Sequence, residues 1–131
     1  MPWQPLAILY PDAELETAAM LRVLFSEQDE TDIWVGRTLP KPRPNRAVQV
    51  IRDGGAANEL RDKPRLRLLC WDKTDQKVND LARLVVAVMP LMVTRGVALH
   101  VEHLSGPYEI PEATPCRYLL FEVHTRGEAL P

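Results

Sequence analysis

The chain has 131 residues, 46% hydrophobic and 26% charged, a balance that fits one folded domain and excludes wholesale disorder or a fibrous repeat. Sixteen Lys and Arg against eighteen Asp and Glu leave a net charge of -2, so no global basic field exists to grip a nucleic-acid backbone. The longest nearly uninterrupted apolar run, Leu84 to Val93, is broken by Pro90 and falls short of the roughly 20 residues a membrane helix needs, so no membrane partner is expected.

Met1 to Tyr10 carries Pro2 and Pro5 and has no Lys or Arg ahead of its short apolar stretch, unlike a secretory signal, so a cytosolic chain is expected. Pro11 and Asp12 open the first predicted helix. Asp12 can cap its free N–H groups, Glu14 and Glu16 suit its positive end, and Leu15, Ala18, Leu21 and Phe25 recur at helical spacing as its core stripe. A strand is predicted over Ile33 to Thr38, stopped by Leu39-Pro40-Lys41-Pro42-Arg43-Pro44. Prolines at alternate positions cannot donate to a sheet ladder and favour polyproline II, so residues 39–46 read as an extended arm or loop.

Ala47 to Asp53 is the next strand and Pro64 to Asp72 the one after. The linker between them, Gly54 to Lys63, is longer than a tight hairpin requires and is a candidate for function. In the second strand Leu66, Leu68 and Cys70 fall on a core face, with Arg65, Arg67, Leu69 and Trp71 on a mixed one. Asp72 or Thr74 caps a second helix whose core stripe is Val78, Leu81, Ala82, Val85 and Met89, ended by Pro90 and the Arg95-Gly96 turn. Leu84, Val86 and Val88 leave its C-terminal half apolar nearly all round, a surplus that a partner subunit would cover. Val97, Leu99 and Val101 alternate with Ala98, His100 and Glu102 as a further strand. Gly106 to Pro115 reads as a punctuated loop, and Arg117 to Thr125 as the last strand. The whole is one α+β domain over residues 1–131, with about five mixed or antiparallel strands, two helices on one sheet face, and the order α-β-β-β-α-β-β.

Chemistry finds little support. His100-Val101-Glu102-His103 resembles a metal or acid-base cluster as text, yet alternation on a strand sends His100 and His103 to opposite sides. His124 joins His100 only if the last two strands pair antiparallel. Ser26 and Ser105 sit in no nucleophile motif, and Gly54-Gly55 lacks the spaced glycines and lysine of a phosphate loop. Cys70 and Cys116 read as small buried hydrophobes. No catalytic residue, metal or cofactor is expected.

Strand Val48 to Asp53, the Gly-rich linker, the Arg-bearing strand Arg65 to Trp71, a helix led by Thr74-Asp75, Ser105-Gly106-Pro107-Tyr108 and Thr114-Pro115-Cys116-Arg117-Tyr118 together resemble the tail terminator proteins of long-tailed bacteriophages. The resemblance spans roughly residues 12 to 126, and Gly106-Pro107-Tyr108 followed by Arg117-Tyr118 is its most telling part. The proline-rich stretch Leu39 to Pro44 departs from the family, as does Ala113 where an acidic residue belongs.

The resemblance implies a structural virion protein, assembled in the host cytoplasm, whose homo-oligomeric ring, typically of six subunits, caps the tail tube. Such a ring stops tube polymerisation and offers a docking surface to head-completion or connector proteins, while genomic DNA passes through the lumen without specific binding. Arg52, Gly54, Gly55, Arg61, Arg65, Arg67, Leu69, Trp71, Leu84 and Val88 are then the candidate ring or tail-tube interface. Competing readings are another head–tail neck or minor tail protein, a small metal-binding enzyme built on the histidines, and an adaptor or nucleic-acid regulator. The last needs a basic stripe, and the arginines here are scattered.

Overall fold

A computed structural model describes residues 7–57, 61–111 and 113–130. The chain runs β1 (Ile8–Leu9), α1 (Ala13–Glu27), β2 (Trp34–Gly36), β3 (Ala47–Arg52), β4 (Arg61–Asp62), β5 (Arg65–Trp71), α2 (Asp75–Val88), α3 (Leu91–Thr94), β6 (His100–Ile110), β7 (Cys116–Arg126) and β8 (Glu128–Ala129). Its longer elements follow the expected order, in an α+β fold with helices packed on a mixed sheet. Asp12 Oδ1 accepts from the Leu15 N–H at 3.1 Å and starts α1, and Thr74 Oγ1 accepts from the Lys77 N–H at 3.1 Å and starts α2. Asp72, the alternative cap, is instead buried and bonded to Arg46.

β2 lies parallel to β3, and the pairs β3–β5, β5–β7 and β6–β7 are antiparallel. β4 pairs β7 at Arg61↔Arg126 and Asp62↔Thr125, and β5 continues the same register at Arg65↔Glu122. The two are therefore one strand line, interrupted at Lys63 and Pro64. Pro64 has no N–H to donate, while its carbonyl accepts from the Val123 N–H at 2.9 Å. β1 and β8 form a separate two-stranded ribbon, too short to leave a periodic trace in the sequence.

One sheet face builds the core. Val48, Val50, Leu66, Leu68, Cys70, Leu119, Phe121 and Val123 meet Ala18, Leu21, Leu24 and Phe25 of α1 and Val78, Leu81, Ala82 and Val85 of α2, all buried. Each large side chain among them contributes roughly 1.5–3 kcal/mol by leaving water, so this layer supplies the main stabilising term.

Several expectations change. Leu15 is 61% exposed, because it lies about 130° around the helix from the middle of the buried face; Ala13, Thr17 and Leu24 complete that face instead. Val88 is only 4% exposed and belongs to the chain's own core, while Leu84 and Val86 pack half-buried against it, so the apolar surplus of α2 is largely covered internally. Residues 97–99, read as strand, precede β6: Ala98 is buried, Leu99 is 39% exposed, and the Val97 and Ala98 N–H groups both bond to the Met92 carbonyl. Gly106 to Ile110, read as loop, continue β6, and Glu112 of that stretch lies outside the described residues.

The Gly54–Lys63 linker, where it is described, prolongs the β3–β5 hairpin. Asp53 N–H bonds to Arg65 O at 2.7 Å, Lys63 N–H to Ala56 O at 2.9 Å, and Ala57 bridges Asp62. Gly54 and Gly55 form the irregularity, with φ of 84° and 103°. A β-carbon on Gly55 would lie 2.2 Å from the Lys63 carbonyl oxygen, so only glycine fits there. Residues 58–60 of the linker lie outside the described ones. The arm at Leu39 to Pro44 forms no helix or strand, and the Arg43 guanidinium sits 5.5 Å from the centroid of the Trp71 ring of its own chain.

Candidate functional site

With the helices on one face of the sheet, strand alternation sends Arg65, Arg67, Leu69 and Trp71 of β5 to the other. The registers set Ile51 and Leu120 on either side of Arg67, and Gln49 and Tyr118 on either side of Leu69. These side chains are half-buried, and Arg65 is exposed. The face is apolar at its centre yet carries a guanidinium there: Arg67 Nε is shielded from water and has no hydrogen-bond partner among the described residues. An unsatisfied buried donor costs about 1–3 kcal/mol.

Both halves of the phage-like motif meet at this face. Tyr108 is the register partner of Tyr118, with ring centroids 6.3 Å apart and planes at 23°. Gly106 has a φ of 92° where β6 shifts register against β7, between Ser105 and Tyr108. Glycine and proline suggested a loop in the sequence, but a bulged edge strand accommodates both. Arg117 points the other way, toward the helices, with its guanidinium 3.7 Å from Asp75 Oδ1 in the first turn of α2.

The remaining candidates lie elsewhere. Leu84 and Val88 sit on the helix side, and Arg52, Gly54, Gly55 and Arg61 at the hairpin end of the sheet. Arg52 is exposed and also engaged within the chain. Its guanidinium binds both Asp62 oxygens at 2.7 and 2.8 Å and the Gly54 carbonyl at 3.2 Å, and Asp62 is 2% exposed. The bonds to Asp62 push the Arg52 pKa up, so this charge is permanent. Arg46 gathers Glu30 at 2.8 Å, Asp32 at 2.5 Å and Asp72 at 3.2 Å on the wall of a cleft of about 560 Å³. These charges join the α1–β2 turn to the start of β3 and the entry to α2, a bracing role for the charges that line the cleft.

His100 and His124 are register partners with rings 5.0 Å apart, so the antiparallel pairing that the metal reading needed does exist. His124 Nε2 lies 2.5 Å from Glu122 Oε1, and Nδ1 lies 3.3 Å from an Arg61 guanidinium nitrogen. A neutral His124 with its proton on Nε2 satisfies both contacts, accepting from Arg61 and donating to Glu122. That donated bond holds the Glu122 carboxyl below its ordinary range, against an opposing contribution from burial. His103 stacks on Phe121 at 4.9 Å, on the opposite side from His100 as alternation demands. Among the described residues, no group of three or more His, Cys, Asp or Glu is placed to hold a metal ion. Cys70 and Cys116 are both buried and not joined in a disulfide, and burial pushes the Cys70 thiol far up. No helix among the described residues is long and apolar enough to cross a membrane.

A second feature escaped the sequence reading. On the outward side of α1, Leu15, Ala19 and Val23 form an exposed apolar stripe with Glu16 beside it. The available signal was the density of apolar residues in this helix, which fills more than one face. No protein-family profile matches the sequence, and no curated protein is significantly similar to it.

Proposed function

We propose that this chain is the subunit of a homo-oligomeric ring, of six copies by the phage resemblance, that caps a tail tube, ends its polymerisation and receives head-completion proteins at the head–tail interface of a virion. The observation that carries this reading is the open sheet face. A domain that commits its helices to one side of its sheet leaves Ile51, Leu69, Trp71 and Leu120 half-covered on the other, around Arg67, whose Nε has no partner among the described residues. Such a surface suits burial against another protein chain, and a ring supplies one to every subunit. The long edge strand β6 adds a second place for contact, since one side of its backbone has no partner strand among the described residues. The near-neutral charge of -2 is compatible with a lumen through which DNA slides without gripping.

The test is to grow tail tubes from purified tube protein with and without this chain and to measure their lengths by electron microscopy. Arrested tubes bearing a ring of this chain at one end are the expected result. Tubes of unchanged length with no terminal density would overturn the reading.

A further inference from the structure

We propose that the outward stripe of α1 in one copy docks on the open sheet face of a second copy, bringing Glu16 to Arg67, so that the chain associates head to tail. The proposal names the contact within the ring reading and rests on it for its biological setting.

Charge selects the pairing. Between Asp12 and Asp32 the only basic residue is Arg22, and its guanidinium is taken by the Val35 carbonyl at 3.1 and 2.7 Å. Most of the acids of α1 have partners within the chain: Asp12 caps the helix, Glu14 binds Arg37 and the Arg52 N–H, and Glu27 pairs with Arg95. The Glu16 carboxylate has no ion-pair or hydrogen-bond partner among the described residues, and it borders the exposed Leu15–Ala19–Val23 stripe. On the opposite side of the molecule the Arg67 side chain, set between Ile51 and Leu120, likewise has no ion-pair or hydrogen-bond partner among the described residues. Each surface thus offers an apolar strip beside an unanswered charge, and Glu16 and Arg67 are opposite in sign.

The alternatives answer fewer charges. Two open faces meeting across a two-fold axis could set Arg65 and Arg67 near Glu122, which shares that face, but would leave Glu16 unanswered, and two α1 stripes would set Glu16 against an equally acidic helix. Only the mixed pairing answers both charges. Because it joins two different surfaces, it propagates from copy to copy, and it closes into a ring when the rotation per step divides a full turn.

The test is sedimentation velocity on the full chain and four variants: Arg67→Glu, Glu16→Arg, the two combined, and Leu15→Asp. The expected result is self-association of the wild type, weakened at least about tenfold by either charge reversal and recovered in the double variant. Leu15→Asp should also weaken association, and since Leu15 and Glu16 are exposed their variants should keep the wild-type circular dichroism even if Arg67→Glu does not fold. The contact is overturned by reversals that associate like wild type, by a folded double variant that does not recover, or by a wild type that stays monomeric at its highest soluble concentration. Failure of the ring reading shows separately, as unarrested tubes in the presence of wild-type chain.

Discussion

A β-carbon on Gly106 would lie 2.3 Å from the carbonyl oxygen of Tyr118, closer than any real side chain tolerates. The backbone of β6 therefore runs against β7 at a point where only glycine fits, and its φ of 92° adds a second reason. Gly106→Ala should lower stability by about 2 kcal/mol or more through strain and displacement of the strand. Urea denaturation checks this, and an unchanged midpoint would show that β6 does not cross Tyr118 as described.

Asp62→Ala should free the hairpin end of the sheet. It removes the two carboxylate acceptors of the Arg52 guanidinium and leaves it the Gly54 carbonyl. Because Arg52 is partly exposed and regains water, the loss should be about 1–2 kcal/mol. Amide hydrogen exchange should quicken at Lys63 and Arg65, whose N–H groups bond across the hairpin, and stay slow in the core strands.

The buried Cys70 thiol resists ionisation, because burial and the neighbouring Cys116 both penalise a thiolate there. A group whose pKa is raised by folding stabilises the protein below its unfolded value, about 8.5 for a thiol, and loses that contribution as pH rises further. Wild type should therefore weaken above about pH 8.5 more steeply than Cys70→Ala, as read from urea midpoints. The native thiol should also stay unreactive toward thiol reagents until the chain unfolds.

Glu122 behaves in the opposite sense. Its carboxyl is held low, first by the hydrogen bond from His124, so its contribution is present above the ordinary glutamate value of about 4.3 and fades as pH falls through the lower folded value. Glu122→Gln should flatten that acid limb. Thermal melts from neutral pH downward would reveal it, and parallel profiles for the two proteins would contradict the His124–Glu122 bond.

Much of this fold was legible because periodicity records burial. Leu66, Leu68 and Cys70 alternate with Arg65, Arg67 and Leu69, and the structure sets the first group in the core and the second on the open face. Periodicity failed where two faces of one element are apolar, as in α1, since nothing local tells Leu15 from Leu21. It failed again where register is decided by a partner strand. Gly106 and Gly55 look like loop residues until the crossing carbonyls of Tyr118 and Lys63 are in place. The open face was anticipated in part through Arg67, Leu69 and Trp71. The exposed apolar strip on α1 was hidden by the same ambiguity that misplaced Leu15.

The position of β7 governs when this molecule can fold. It lies between β5 with β4 on one side and β6 on the other, yet it is the last strand of the main sheet to leave the ribosome. Until residues 116–126 emerge, β5 has one bare edge and α2 lacks the floor that Leu119, Phe121 and Val123 provide. The nascent chain must therefore carry an unfinished sheet for most of its synthesis. Cooperative closure comes with the β6–β7 hairpin, a late and long-range step that slows folding and leaves the half-built β3–β5 pair in need of shelter from other chains.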